Sequence, residues 1–422
     1  MQEEKKVQNT NAGSVHIVNS DSGIRLYPHQ ENAFAQMTKK IINSHKYPYK
    51  GLLVLPTGGG KTMTAARWIA ENIIDKGIKV LWIAHRHELL EQAQRTFSMA
   101  LAYHDVFPQR DKFDYRLISG IHDKPVNIRA TDDILFASKD SLASERSFGF
   151  LYDNWLKDND EVFLVIDEAH HACARTYRRL IERIESVVKN FRMLGLTATP
   201  IRTNDTERGY LHKIFPDDMV FEISLRNLIR QGILSEPKFE EVKTELDLTQ
   251  ELSPDQIRKL HEGFDFDSIG MAVASTIANN SERNNLIVNR YVSNKEKYGK
   301  TIVFAVNKEN TIVLSKLFNE RGVRADFVMS DVRDASGLHS ISSKDNKDKI
   351  ARFRKGGDID VLVNVNILTE GTDVPDVQSV FLTRPTSSKI MMTQMMGRGL
   401  RGEKAGGKPE ERKIRGRFCP HL

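Results

Sequence analysis

The stretch that decides the fold is LLVLPTGGGKTMTAARWI, residues 52–69. Its apolar start, Leu52–Leu55, predicts a buried strand, and the amphipathic stretch Met63–Asp75 predicts a helix. Three glycines followed by Lys61 and Thr62 lie between them. Glycines let backbone N–H groups close around phosphate oxygens, and the start of the following helix adds the positive end of its dipole. The stretch therefore predicts a phosphate-binding loop.

This loop supplies most of the candidate ligands for a nucleoside triphosphate, which are Thr57, Gly58, Gly59, Gly60, Lys61 and Thr62. Lys61 would pair with the β- and γ-phosphates, and Thr62 would offer its hydroxyl to Mg²⁺. The general motif starts with a glycine, whereas Leu55 occupies that position here. The alternative is a glycine-rich turn without a ligand. The strand before the loop and the helix after it disfavour that alternative.

A second motif is an apolar strand that ends in two carboxylates. Val162–Ile166 predicts the strand, and Asp167, Glu168, Ala169 and His170 follow it. Nucleotide hydrolysis needs one carboxylate to hold Mg²⁺ and another to orient and deprotonate water. We assign Asp167 to the metal and Glu168 to the water. The alternative is a helix start that merely favours acidic residues, and the phosphate loop upstream disfavours it.

Strands and helices alternate along both halves of the chain. Further strands are predicted at Val80–Ala84, Ile134–Ala137, Met193–Thr197, Thr301–Ala305, Ala325–Met329, Val361–Val365 and Val377–Leu382, and further helices at Glu88–Leu101, Glu309–Arg321 and Lys347–Lys355. This alternation is typical of parallel sheets covered by helices on both faces. Residues 226–298 are predicted to be a connector with helical content and one extended stretch. We therefore expect an α/β protein with two units and a cleft between them.

Composition excludes several other classes of protein. The 62 Lys and Arg residues against 56 Asp and Glu give a net charge of +6 over 422 residues, which permits a polyanionic partner without establishing one. Two cysteines, Cys173 and Cys419, exclude a disulfide scaffold and a four-cysteine zinc site. We expect no secretory leader, no membrane segment of ~18–20 apolar residues, and a cytoplasmic location.

In this order, the motifs resemble those of superfamily 2 DNA/RNA helicases and translocases of the DEAH-box type. The branch they resemble includes the helicase subunits of type III restriction enzymes. The resemblance covers residues 24–402 and implies two tandem RecA-like domains, each a mainly parallel sheet flanked by helices, with an ATP cleft between them. It implies a flexible N-terminus (1–23), an ATP-binding domain (24–225), the connector (226–298), a second domain (299–402) and a basic tail (403–422).

Within the first domain, the resemblance assigns three groups of residues. Gln30, in Leu26–Gln30, would read adenine, although family members often have Arg where Tyr27 stands. The remaining assignments are nucleic-acid contacts for His85, Arg86 and Ser138, and coupling of hydrolysis to movement for His170, Thr197 and Thr199. Ser138 stands where the family usually has Thr. From the residues alone, the contact motifs are ordinary strand ends, and Thr-Ala-Thr-Pro is a strand that runs into a turn.

Within the second domain, the resemblance assigns Thr369 to nucleic acid, and Gly371 and Asp373 to ATP. Gln394, Arg398 and Arg401 lie three or four residues apart, so they would share one face of a helix. An arginine delivered across a cleft can stabilise charge on the transferring γ-phosphoryl group, which makes Arg398 and Arg401 finger candidates. The alternative is a solvated basic helix.

Residues 403–422 carry six basic and three acidic residues and no apolar run, so we expect a disordered or truncated end. Pro216-Asp217 with Glu241-Val242-Lys243 fits a metal-nuclease pattern only superficially, so any cleavage would need a nuclease or other effector subunit.

The sequence thus predicts an ATP-dependent motor that moves along nucleic acid, with DNA favoured over RNA as its partner. The rivals are a double-strand translocase without strand separation and a nucleotide-dependent switch or scaffold that binds but does not translocate. A role in restriction, repair or phage defence would follow from the resemblance alone.

Overall fold

The structure is a computed structural model that describes residues 11–198, 211–236, 238–247, 254, 271–329, 343–365, 377–384 and 414–421. The chain divides into two compact units, the first made of Met1–Pro56 and Gly60–Ser224 and the second of Thr57–Gly59 and Leu225–Leu422.

The described strands of the first unit are β1 (Ala12–His16), β2 (Tyr49–Val54), β3 (Lys79–Ala84), β4 (Lys112–Ile118), β5 (Ile134–Ser138), β6 (Glu161–Asp167), β7 (Asn190–Thr197) and β8 (Asp218–Glu222). They form one sheet in the order β1-β4-β5-β3-β6-β7-β2-β8. Every neighbouring pair is parallel except the antiparallel pair β1 and β4. The predicted parallel sheet is therefore confirmed for this unit.

The described helices of the first unit are α1 (Pro28–Met37), α2 (Lys61–Ile69), α3 (His87–Arg95), α4 (Lys139–Leu142), α5 (Glu145–Leu151) and α6 (Arg175–Val187). Five-residue π-helical segments continue α1, α2, α3 and α5, and a 3₁₀ turn covers Ala169–Cys173. The helices predicted over Met63–Asp75 and Glu88–Leu101 are confirmed.

Helices cover both faces of the first sheet. On one face, Leu135 and Leu164 lie in a buried cluster with Phe148 of α5 and Tyr177 of α6. On the other face, Trp68 of α2 packs on Phe163, with their ring centroids 5.7 Å apart. Strands buried on both faces are continuously apolar, which is why their positions could be read from the sequence.

Parallel pairing determines where the site lies. The carboxyl ends of β2, β3, β5, β6 and β7 all lie at one edge of the sheet. Ligands of open α/β sheets bind at that edge. The residues that follow these strands, where most of the predicted site residues of this unit are found, therefore come together.

The described strands of the second unit are β9 (Lys238–Asp247), β10 (Thr301–Phe304), β11 (Ala325–Val328), β12 (Val361–Asn364), β13 (Ser379–Leu382) and β14 (Ile414–His421). They form a parallel sheet in the order β11-β12-β10-β13-β14-β9. The helices are α7 (Leu225–Arg230), α8 (Met271–Asn279), α9 (Ser281–Val292), α10 (Lys295–Tyr298), α11 (Lys308–Glu320) and α12 (Ser343–Lys355). Phe318 of α11 and Phe353 of α12 lie in separate buried clusters.

The structure corrects the sequence prediction at both ends of the chain. The expectation of a flexible segment is wrong for Ala12–His16, which pairs with β4. The expectation of a tail without a strand is wrong for Ile414–His421, which lies between β13 and β9. In Ile414–Phe418, arginines alternate with Ile, Gly and Phe. That period-two pattern is a strand signal that a search for continuous apolar runs passes over.

The predicted connector is also more structured than expected. Lys238–Asp247, within its extended stretch, forms a strand of the second sheet. Ser281–Val292 forms a helix whose buried residues Ile287, Val288 and Tyr291 belong to the core of the second unit. No helix in the described part of the chain is long and apolar enough to cross a bilayer.

Candidate nucleotide-binding site

The loop between β2 and α2 has the backbone of a phosphate-binding loop. Gly58 and Gly60 have φ angles of 87° and 80°, in the left-handed region that favours glycine. Gly60 immediately precedes α2, and its carbonyl accepts hydrogen bonds from the Thr64 amide and hydroxyl, each at 2.9 Å. The Leu55 amide, just before the loop, donates to the Thr197 carbonyl at 3.1 Å. The loop is therefore attached to both α2 and β7.

Gln30 lies against this loop. Its side chain is buried, and its Oε1 accepts a hydrogen bond from the Tyr27 amide at 2.9 Å, which caps the start of α1. Its Nε2 lies so close to Gly60 that a Cβ atom there would overlap it. The φ angle of Gly60 thus favours glycine, and a Cβ atom there would also displace the Gln30 side-chain amide. Contact with adenine stays a prediction for this residue.

The predicted catalytic charges come together at the carboxyl end of β6. Lys61 Nζ lies 2.6 Å from Glu168 Oε1 and 3.5 Å from Asp167 Oδ1. All three side chains are about nine-tenths buried or more. Residues 107 positions apart in the sequence therefore form one compact charged group.

The backbone at Glu168 is strained. This residue has φ 50° and ψ 57°, the left-handed conformation, which costs a non-glycine residue about 1–2 kcal/mol. Its amide donates to Asp167 Oδ1 at 2.9 Å, and the 3₁₀ turn Ala169–Cys173 starts directly after it. Such strain persists where the surrounding structure determines the conformation, and it clusters at functional sites.

Asp167 has the environment of a metal ligand. Burial raises the pKa of its carboxyl; Lys61 lowers that pKa and Glu168 raises it further, with a net upward shift. Its Oδ2 atom is buried and makes no hydrogen bond within the described ranges. A buried carboxylate oxygen with no donor suits a hard divalent cation such as Mg²⁺. The residues present therefore fit Mg²⁺, with the Thr62 hydroxyl near the start of α2 as a second donor.

Histidines adjoin this group. His170 Nδ1 lies 3.4 Å from Glu168 Oε2. The ring of His171 lies between those of His170 and His85, with centroid distances of 4.2 and 4.0 Å. Roles were predicted from the sequence for His85 and His170 but not for His171. The adjacent pair His170-His171 was a visible signal for it.

The predicted nucleic-acid contacts of the first unit lie on neighbouring strands. His85 and Arg86 follow β3, and Ser138 ends β5, paired with Ala84. Ser138 is buried and caps α4, where its Oγ accepts from the Ser141 amide at 3.3 Å and bonds the Ser141 hydroxyl at 2.8 Å. Thr197 is also buried, at the end of β7. The structure thus brings His85, Arg86 and Ser138 to one stretch of the sheet edge.

The remaining predicted site residues lie outside the described residues: Thr199, Thr369, Gly371, Asp373, Gln394, Arg398 and Arg401.

A glycine loop after β2 and paired carboxylates after β6 define a nucleoside-triphosphate hydrolase of the phosphate-loop class. Comparison with known families narrows this class. Residues 23–202 match the family described as type III restriction enzyme, res subunit, and residues 282–403 match the helicase conserved C-terminal domain. The chain therefore resembles helicases that combine these two domains.

Individual relatives agree with this assignment. IRC3 of Saccharomyces cerevisiae, named as an ATP-dependent helicase, is 29% identical over 380 residues, which are 88% of this chain and 47% of the yeast protein. The chain thus spans about half the length of that relative. The DNA 3′-5′ translocase XPB2 of Sulfurisphaera tokodaii is 24% identical over 377 residues, covering 83% of this chain and 75% of the relative.

A solved structure supports the fold. A fragment named as an HsdR subunit of a type I restriction enzyme, from Vibrio vulnificus, aligns with a TM-score of 0.59 at 20% identity. The alignment covers 92% of this chain and 63% of that one. At this identity the similarity shows the fold alone, which is the two-domain RecA-like architecture predicted from the sequence.

Proposed function

We propose that the chain is an ATP-driven motor that moves along DNA, and that its phosphate loop and DEAH-type acidic motif form the hydrolytic site. The observation that carries this proposal is the buried group of Lys61, Asp167 and Glu168 beside a glycine-rich loop, with Glu168 held in a strained left-handed conformation. The predicted nucleic-acid contacts at the same sheet edge support a motor over an isolated ATPase.

Binding of ATP begins with an exchange of partners at Lys61. The amide groups of the loop and the start of α2 hold the β- and γ-phosphates. Lys61, now 2.6 Å from Glu168, turns to the phosphates, which carry more charge than the carboxylates. Glu168 then loses its cation and becomes free to accept a proton from the attacking water.

Mg²⁺, held by Asp167 and the Thr62 hydroxyl, would supply charge neutralisation at the phosphates. Gln30 holds the loop at Gly60 and reads adenine. In the second domain, Gly371, Asp373, Gln394, Arg398 and Arg401 complete nucleotide recognition and stabilise the γ-phosphoryl group. His170, Thr197 and Thr199 couple hydrolysis to movement. These roles rest on the family resemblance together with the packing of the first unit.

His85, Arg86, Ser138 and Thr369 contact the nucleic-acid backbone. Such contacts position a strand and carry little sequence information, so the motor is largely indifferent to sequence. DNA is favoured over RNA because the archaeal relative is named as a DNA translocase. That name also favours translocation along DNA without strand separation as the second candidate activity. A nuclease or other effector subunit would supply any cleavage, and the cytosol is the proposed location.

The test compares ATP hydrolysis alone and with single-stranded DNA, double-stranded DNA or RNA. We expect DNA to stimulate turnover more than RNA does. Unwinding of a forked duplex, set against displacement of a third strand from a triplex, then separates a helicase from a duplex translocase. Hydrolysis that no nucleic acid stimulates would refute the motor and favour the nucleotide-dependent switch.

A matched pair of variants excludes a contaminating ATPase. Lys61→Ala removes the loop lysine, and we expect it to abolish turnover. Lys50→Ala removes a lysine of the preceding strand whose partner is Glu185, at 2.9 Å, and should retain turnover. Full activity in Lys61→Ala would assign the hydrolysis to another protein.

A further inference from the structure

Three histidine rings form an unbroken row of contacts at the edge of the first sheet, with the planes of neighbouring rings tilted by 47° and 41°. His85 follows β3, whereas His170 and His171 belong to the 3₁₀ turn after β6. The centroid distances, 4.0 Å for His85 to His171 and 4.2 Å for His171 to His170, are shorter than the roughly 4.5–7 Å usual between aromatic rings. The rings therefore touch, and His171 is the member that joins the two strands' ends.

The row of contacts continues to Glu168, the proposed general base. His170 Nδ1 lies 3.4 Å from Glu168 Oε2, and Glu168 Oε1 lies 2.6 Å from Lys61 Nζ. His170 and Glu168 are 6% and 8% exposed, so packing limits their freedom to move separately. A continuous set of side-chain contacts thus runs from His85 to the phosphate loop.

The element at the end of this path can respond to small displacements. Glu168 is held in the left-handed conformation, which is a costly state maintained by its surroundings. The 3₁₀ turn that carries His170 and His171 starts at the next residue. A shift of the turn by its histidines would therefore change the orientation of the Glu168 carboxylate.

We propose that His171 is a positioning residue that transmits nucleic-acid contact at His85 to Glu168 and so makes ATP hydrolysis respond to DNA. The inference rests on the proposed function, because it needs a wild-type protein whose turnover DNA stimulates. His171 touches neither ATP nor DNA in this scheme; it acts through His170.

The test measures the ratio of DNA-stimulated to basal kcat at saturating ATP and DNA. His171→Ala and His171→Asn remove the ring, and we expect each to lower this ratio about fivefold or more, the usual lower range of coupling between sites. His171→Phe keeps a flat ring and should keep most of the stimulation. His87→Ala is the matched control, because the His87 ring lies outside the row of three histidines and faces His122, with 6.0 Å between the ring centroids.

A double-mutant cycle adds a second readout. If His85 and His171 act through their contact, the double Ala variant should lose no more stimulation than His85→Ala alone. Additive losses would overturn the proposal. So would a wild-type ratio in both His171→Ala and His171→Asn, an equal fall in basal and stimulated rates, or a loss in His171→Phe as large as in His171→Ala. If DNA fails to stimulate even the wild type, the proposed function itself fails, which is a distinct outcome.

Discussion

Two buried charge clusters of the first unit are built in opposite ways. In the nucleotide cluster, Asp167 Oδ2 accepts no hydrogen bond within the described residues, and Glu168 has a strained backbone. In the other cluster, Arg116 donates to Asp132 at 2.8 and 3.3 Å and to Asp123 at 2.6 Å, from all three guanidinium nitrogens. The same residue types thus form an incompletely bonded group in one place and a saturated one in the other.

The pKa shifts follow the same division. Burial raises the pKa of Asp167, and Lys61 does not offset it. Burial also raises the pKa of Asp123, but hydrogen bonds from Asn127 and Arg116 outweigh it and hold that pKa below its usual value. A carboxylate kept at a cost indicates a functional role, whereas one stabilised by its partners indicates a structural role.

Glu168→Gln should have the largest effect. It keeps the shape of the side chain and removes its basicity, so kcat should fall about 10³-fold, equivalent to about 4 kcal/mol, with ATP still bound. Steady-state hydrolysis measures the expected fall in kcat, and a nucleotide-binding assay measures the retained binding of ATP. Glu185→Gln, a carboxylate paired with Lys50, is the control. Turnover above a tenth of wild type would remove Glu168 from the base role.

Arg116→Met should lower the stability of the protein and leave its turnover unchanged. It leaves Asp132 buried without its cation, which should cost about 3 kcal/mol of unfolding free energy. The folded fraction should keep its kcat, because the cluster lies away from the nucleotide. Denaturant unfolding and hydrolysis per folded molecule test this. Arg110→Met breaks the more exposed pair with Asp133 and should cost less. An equal cost would show that burial does not set the difference.

Gly60→Ala probes the packing of the loop. Both the φ angle of 80° and the overlap with Gln30 oppose a Cβ, so we expect a loss of about 2 kcal/mol in stability and weaker ATP binding. Gly77→Ala is a close control, because Gly77 has φ 85° and its Cβ would meet Arg110 at an ordinary 3.5 Å. The difference between the two variants measures the Gln30 contact. Equal losses would assign the whole effect to backbone strain.

The position of the nucleotide cluster could be predicted from the sequence. Lys61, Asp167 and Glu168 follow continuous apolar runs, and parallel strands bring such positions to one edge whatever the intervening sequence. Strands buried on both faces were therefore predicted correctly. Ala12–His16 and Ile414–His421 were missed because neither has a continuous apolar run. The backbone partners that make them strands lie about a hundred residues away in the first case and over thirty in the second.

Other features of the site could not be predicted from the sequence, because they depend on the packing of the folded chain. The left-handed backbone of Glu168 depends on the packing around it, and nothing in Val162–His170 specifies it. The contact between His85 and His171 joins two strand ends that are neighbours only in the sheet. The partners of Asp132 and Asp123 were not visible in the sequence either. Only their hydrogen bonds to Arg116 identify them as structural.

Asp167→Asn should stabilise the protein when ATP and Mg²⁺ are absent. The amide removes a buried charge that lacks a full set of partners, so the free energy of unfolding should rise by about 1 kcal/mol near neutral pH. The same change should abolish turnover. Chemical denaturation with a chelator present, alongside Asp123→Asn, is the measurement. The two Asn variants should shift stability in opposite directions. Destabilisation by Asp167→Asn would mean that its carboxylate is held for structural reasons.

The smallest expected effect is the change with pH in the contribution of Asp123 to stability. Because the folded pKa of Asp123 lies below its unfolded value, its contribution to stability is present above the unfolded pKa, about 4, and disappears as the pH falls through the folded pKa. Asp123→Asn should therefore be less stable than wild type near neutral pH, and the gap should close below about pH 4, changing by well under the ~1.4 kcal/mol per pH unit of a full proton. Asp111→Asn, at an exposed position before β4, is the control. A gap that persists unchanged into acid would trace the stabilisation to the shape of the Asp123 side chain, and the saturated cluster would owe little to its charges.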